Sequence, residues 1–168
     1  LRNQLEEEVI RCLIDGKESR SRAMLINNEM ENKSLFEHEN NAINEIEQRM
    51  ENKGLGHILH NLYIHESQSN SYLELDIVAI CHYGIYVIEL KHWTGSIQIK
   101  PNNWLVNNSS SRKDPHILNS TKAKILRGIL ERRIPQIAGT YIESVVVLTN
   151  LDAIVEGASL PTSTKHNL

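Results

Sequence analysis

The chain has 168 residues, 40% of them hydrophobic and 23% charged, with a formal net charge of −3. That suits one folded domain with an extension and argues against disorder. No apolar run approaches the roughly eighteen residues a membrane helix needs, and no basic-then-apolar opening reads as a secretory signal, so no membrane contact and a cytoplasmic location are expected. An acidic total also rules out a polyanion-binding surface spread over the whole chain, so any nucleic-acid contact has to be local.

Cys12 and Cys81 lie far apart with no Cys-x-x-Cys pair, which argues against a disulfide scaffold and against structural zinc. His57, His60 and His65 lack a second clustered pair, and strand-edge packing is the preferred reading of them. Residues 1–33 carry Leu5, Val9, Cys12, Leu13, Met24 and Leu25 among many charges. They read as an N-terminal helical extension broken near Asp15-Gly16, serving as a cap, a linker from an attached domain, or an oligomer contact.

Ser34 with Glu37 three residues on suggests a capping box, and the following helix is expected to run to about Asn52 and close at Gly54. At about 100° per residue, Leu35, Ala42, Ile43, Ile46 and Met50 form one apolar arc. Glu39 falls inside it, so it either meets a cation or donor over a polar pocket or stays hydrated in the first turn. Gly56 to Ile64 alternates as a half-buried strand, with Ile58, His60, Leu62 and Ile64 on one side.

From Tyr72 to Lys91, hydrophobic pattern and reactive side chains coincide. Leu73 to Ile80 is apolar apart from Glu74 and Asp76, and Ile85 to Leu90 apart from Glu89, as strands buried on both faces read. Cys81 to Gly84 is expected to form the turn, placing Ile80 opposite Ile85 and Asp76 opposite Glu89. Alternation puts Glu74, Asp76, Val78 and Ile80 on one face. Cross-strand Cβ atoms lie roughly 5 Å apart, so two carboxylates meet beside Lys91. Their repulsion requires compensation from that lysine, as in an ordinary salt-bridged hairpin, or from a hard divalent cation.

Short strands over Ser96–Lys100 and Trp104–Val106 continue what reads as an antiparallel meander, and Asn107 to Lys113 has loop composition. Asp114-Pro115 opens a helix to about Arg133, with Ile117, Leu118, Ile125, Leu126, Ile129 and Leu130 at helical spacing. Lys113, Lys122, Lys124, Arg127, Arg132 and Arg133 give it the strongest local basic density, a candidate phosphate contact or simple solvation. Ser144 to Thr149 is a β-branched buried strand, and from Leu151 on the pattern is lost, as at a tail or domain boundary.

Taken together, Glu39-Asn-Asn-Ala42 with Ile46, Leu75-Asp76-Ile77-Val78, Gly84 through Glu89-Leu90-Lys91, Trp93-x-Gly95 with Ile97, Trp104, Asp114-Pro115 and Val145 to Leu148 resemble the nuclease-related domain (NERD). This is a branch of the PD-(D/E)xK restriction-endonuclease-like superfamily, and the resemblance runs from residue 34 to 150. Two positions depart from the family's pattern. His38 stands where a glycine usually precedes the helix glutamate, and Leu118, with Asn119 beside it, where a glutamine usually follows the Asp/Asn-Pro pair.

The resemblance implies an α/β (α+β) fold with a central mixed sheet flanked by helices, residues 34–150 forming the nuclease core and 151–168 a tail. It implies a Mg2+- or Mn2+-dependent nuclease acting on DNA, with RNA and endo- versus exonuclease action left open, as part of a larger protein or a homodimer. Catalysis would fall to Glu39, Asp76, Glu89 and Lys91. The metal would sit on Asp76, Glu89 and the Leu90 backbone carbonyl, with Glu39 acting through water. Nucleic-acid contacts would come from Lys113, Asn119, Lys122 and Arg127. The competing expectation is a nuclease-like module that binds nucleic acid or a protein partner without cutting.

Overall fold

The computed structural model describes residues 33–66, 71–156 and 162–164, with side chains from Glu37 to His65 and from Tyr72 to Glu156. The N-terminal helical extension, the side chain of Ser34 and part of the loop before the central strands lie outside the described residues. Helix α1 spans Lys33–Asn52. It buries Ala42, Ile43 and Ile46, as the apolar arc predicts. Gly54, at a left-handed φ of 59°, ends it by donating to Glu51 O at 2.9 Å, while Leu55 N–H reaches Met50 O at 3.0 Å.

The central sheet contains β1 (Gly56–Glu66), β2 (Ser71–Cys81), β3 (Gly84–Lys91), β7 (Ile142–Leu148) and β9 (Thr162–Thr164). Their order is β1-β2-β3-β7-β9. The first three run antiparallel, and β7 joins β3 in parallel, so the sheet is mixed. The meander expected after Lys91 leaves this sheet instead. The strands β4 (Gly95–Lys100), β5 (Asn103–Val106), β6 (Ser110–Lys113) and β8 (Ala153–Glu156) form a second sheet in the order β6-β5-β4-β8.

Two stretches not read as strands, one expected as loop and one as tail or domain boundary, prove to be strands. Residues 110–113, read as loop from their Ser and Arg content, pair with β5 once Asn107 and Asn108 turn the chain at φ of 53° and 57°. Residues 153–156, where the pattern fades, lie parallel to β4. Their alternation of half-buried and exposed positions suits an edge strand, which carries little hydrophobic signal.

Helix α2 (Pro115–Arg133) starts as expected. The Asp114 side chain accepts from His116 N–H at 2.8 Å, and Pro115 follows at the first turn. Its buried face is Asn119, Ala123, Leu126 and Leu130, whereas Ile117 and Leu118, though at helical spacing, are 44% and 41% exposed.

These elements make layers. Helix α2 packs through Ala123, Leu126 and Leu130 on the face bearing Leu75, Val78, Ile80, Ile85 and Val87. Helix α1 covers the opposite face at Ile77, Ala79, Ile88, Leu90 and Val147. The second sheet rests Ile97 and Trp104 on Val146 and Leu148.

Gly84 fixes the start of β3. Its φ is 155°, and an added Cβ would lie 2.5 Å from Tyr141 O, the same carbonyl that accepts from Ile85 N–H at 2.8 Å. Gly84→Ala is therefore expected to cost about 1–3 kcal/mol, read from urea unfolding. An unchanged midpoint would mean that β3 and β7 shift apart freely.

Candidate active site

Strands β2 and β3 pair Ile80 with Ile85 and Ile77 with Ile88, the register expected from sequence. The turn is shorter than expected, because Cys81 and Gly84 are themselves paired and only His82 and Tyr83 lie outside the strands. The paired register ends at Ile77–Ile88, one step before Asp76 and Glu89.

Alternation along β2 fails at Asp76. Leu75 and Val78 belong to one apolar cluster although three residues apart, and so do Leu59 and Leu62 on β1. Both strands change face at the same level, where Asn61 adopts a φ of 54° and the β1–β2 ladder skips from His60–Ile77 to Leu62–Leu75. As a result Ile58 and Ile64 pack on opposite faces, and Glu74 is exposed, accepting a hydrogen bond from the Tyr63 hydroxyl. A left-handed residue inverts the side-chain direction that a uniform strand would keep.

At this break the Leu90 N–H donates to Asp76 Oδ2 at 2.7 Å, tying the acid of β2 to the main chain of β3. Glu89 is 8% exposed. Its Oε1 accepts from Lys91 Nζ at 2.6 Å, and its Oε2 from Lys122 Nζ, on α2, at 2.5 Å. Strand β3 thus supplies an acid, a base and a peptide group within three residues, and α2 supplies a second ammonium from the side.

The two carboxyls respond oppositely. Burial, then the charge of Glu89, pushes Asp76 up to about 7 against the opposing pull of the Leu90 amide, Lys122 and Lys91. Burial also pushes Glu89 upward, but Lys91 and Lys122 outweigh it and hold Glu89 below the usual carboxylate range. One acid keeps its charge because two ammoniums face it, while the other shares its proton with solvent near neutrality.

Glu39 is half-buried on α1. Its neighbour His38 stacks on His92 with ring centroids 4.1 Å apart and planes 14° apart, so the turn bearing Glu39 is held against the residue that follows Lys91. His92 also shares a hydrogen bond with Thr149 Oγ1 at 2.9 Å, at the end of β7. Among the described residues, no group of three or more His, Cys, Asp or Glu side chains is arranged to hold a metal ion. The acids joined by the interactions above are Asp76 and Glu89. Their oxygens are hard ligands of the type Mg2+ and Mn2+ take, and a cation there would offset the repulsion that raises Asp76, so the donor set fits such an ion.

The four residues expected at nucleic acid separate. Lys113 is exposed at the end of β6. Lys122 points into the acidic site. Asn119 is 1% exposed and donates to Val87 O at 2.8 Å and Val145 O at 3.0 Å. It therefore clamps β3 to β7 from within the core rather than offering its amide to a ligand. Arg127 likewise donates to Thr140 O and Ile142 O, fastening the entry to β7.

Sequence reasoning missed the role of Lys122 at Glu89. The available signal was the α2 face of Asn119, Ala123 and Leu126, at whose edge Lys122 falls. Asn119→Leu removes both donors from the strand carbonyls and is expected to cost about 1–3 kcal/mol, measured by chemical denaturation. A stability equal to that of the parent chain would sink the clamp.

Among the described residues no helix is long and apolar enough to cross a membrane. No curated protein and no solved structure matches the chain. A family model described as nuclease-related domain matches residues 34–149, more than half of the sequence and the same span that carries the acids and both lysines. The chain belongs to the nuclease-related domain family.

Proposed function

We propose that this protein is a metal-dependent nuclease that hydrolyses DNA phosphodiester bonds. The observation that carries this reading is the half-buried Asp76 beside the buried Glu89, linked through the Leu90 amide and met by Lys91 on the same strand as Glu89. Asp76, Glu89 and the Leu90 carbonyl would hold Mg2+ or Mn2+, with Glu39 acting through water. Such an ion supplies a lowered water pKa and neutralisation of the charge that builds on the phosphoryl oxygens. Glu89 holds the Lys91 ammonium through its Oε1, where it can orient the attacking water and stabilise a phosphate oxygen. The Leu90 N–H holds Asp76 in one rotamer, and the His38–His92 stack holds the α1 turn that carries Glu39.

A second reading, a module that binds nucleic acid or a protein partner without cutting, draws on a different observation. Lys91 and Lys122 already balance the charge of Glu89, and Asn119, beside the changed Leu118 position, is spent on strand carbonyls.

Labelled linear, circular and branched DNA, with an RNA arm, incubated with and without Mn2+ separates the two. Under the first reading Glu89→Gln and Lys91→Ala lose on the order of 10²–10³-fold in rate while their circular dichroism is retained. Undiminished cutting by both variants would reject the assignment, and absence of any Mn2+ heat in a calorimetric titration would favour the binding module.

A further inference from the structure

The Glu89 carboxylate has two oxygens and two ammonium partners. Lys91 takes Oε1 and Lys122 takes Oε2. Counting Asp76 as ionised, the cluster holds two negative and two positive charges, so a divalent cation entering it leaves an excess of positive charge that a buried site does not tolerate. One ammonium then has to give way, and the two lysines differ in how easily they can.

Lys91 lies on β3, hydrogen-bonded along its length to β7 and followed by the Thr149 N–H on its own carbonyl at 3.0 Å. Lys122 hangs from α2 at the boundary between the buried Asn119 and Ala123 and the exposed Leu118 and Thr121. Its flexible four-carbon stem can turn from Glu89 toward solvent with no movement of the helix, which Asn119 pins to both strands.

Resting on the nuclease reading, we infer that Lys122 and the divalent cation compete for Glu89, and that the displaced Lys122 ammonium then binds a backbone phosphate of the substrate. The site therefore couples metal uptake to the appearance of a phosphate contact. Lys122 is a positioning and substrate-binding residue that leaves Glu89 for the substrate phosphate once the cation has taken its place.

The experiment is calorimetric titration of Mn2+ into the parent chain, Lys122→Met, Lys122→Gln and Lys122→Arg, each first checked for folding by circular dichroism. Lys122→Met is expected to bind Mn2+ roughly tenfold more tightly, the effect of removing one competing charge-assisted hydrogen bond. Lys122→Arg is expected to match the parent. If Lys122→Met fails to fold, Lys122→Gln, which keeps a hydrogen bond without the charge, gives the same comparison. In Ca2+, DNA binding by Lys122→Gln should show a salt dependence shallower by about one in log–log slope.

Equal or weaker Mn2+ binding by the neutral variants, or an unchanged salt slope, overturns the exchange while leaving the nuclease reading in place. No Mn2+ uptake by the parent chain overturns both.

Discussion

Asp76→Asn is expected to abolish divalent-dependent cleavage and at the same time to raise the melting temperature above neutral pH. The amide retains an oxygen for the Leu90 N–H but removes the charge that burial and Glu89 oppose. The sign follows from the direction of the shift. Asp76 is raised from 3.8 to about 7, so the folded chain binds this proton more tightly than the unfolded one. Its contribution to stability is complete below 3.8 and is lost as pH rises through about 7, a loss on the order of 2–4 kcal/mol for the parent.

Glu89 acts in the other direction. It is held below 4.5, so its contribution is present above 4.5 and is lost as pH falls through its folded-state value. Thermal melts at pH 5.5 and pH 8.5 provide the check. The parent should lose stability between them and Asp76→Asn should not, and added Mn2+ should restore the parent at pH 8.5 without moving the variant. Parallel pH profiles for the two proteins would sink the electrostatic account of Asp76.

Glu89→Leu is expected to be the most destabilising single change in the site. It leaves Lys91 and Lys122 facing each other, with side chains 29% and 15% exposed, in a layer otherwise filled by Val87, Val146 and Leu148. Removing one partner of a buried ion pair typically costs about 3–5 kcal/mol, because the remaining charge stays desolvated. Adding Lys122→Met should recover a large part of that loss, since the second substitution removes an orphaned charge. Urea unfolding of both single variants and the double variant gives the coupling directly. If the two losses simply add, Glu89 and Lys122 do not depend on each other, and the close contact between them carries no energy.

Much of the chemistry was legible because it is local. Glu89, Leu90 and Lys91 are consecutive on one strand, and the register of β2 on β3 follows from the short connection between two apolar runs. The Asp114-Pro115 start of α2 and the Gly54 stop of α1 were readable for the same reason: caps are set by the nearest few residues.

Features arising from long-range pairing were not legible. The break at Asp76 depends on Asn61 across the ladder. The second sheet depends on β8 returning to β4 from residues far along the chain. Ile117 and Leu118 keep helical spacing yet stay exposed, because apolar residues on the first turn of a helix can lie outside the covered face. Asn119 and Lys122 misled because polar side chains on α2 read as surface until their partners on β3 and β7 are known.

The sequence by itself determined which strands exist at the centre, their relative register, and the presence of two carboxylates and a lysine at one level of the sheet. Periodicity and turn chemistry act over a few residues and leave those choices little freedom. Only the tertiary structure decided that a second lysine, thirty-three residues beyond Glu89, completes the charge balance, and that Asp76 is raised while Glu89 is lowered. Both outcomes depend on burial and on the sum of neighbouring charges, and neither quantity is defined until helix and sheet have packed together.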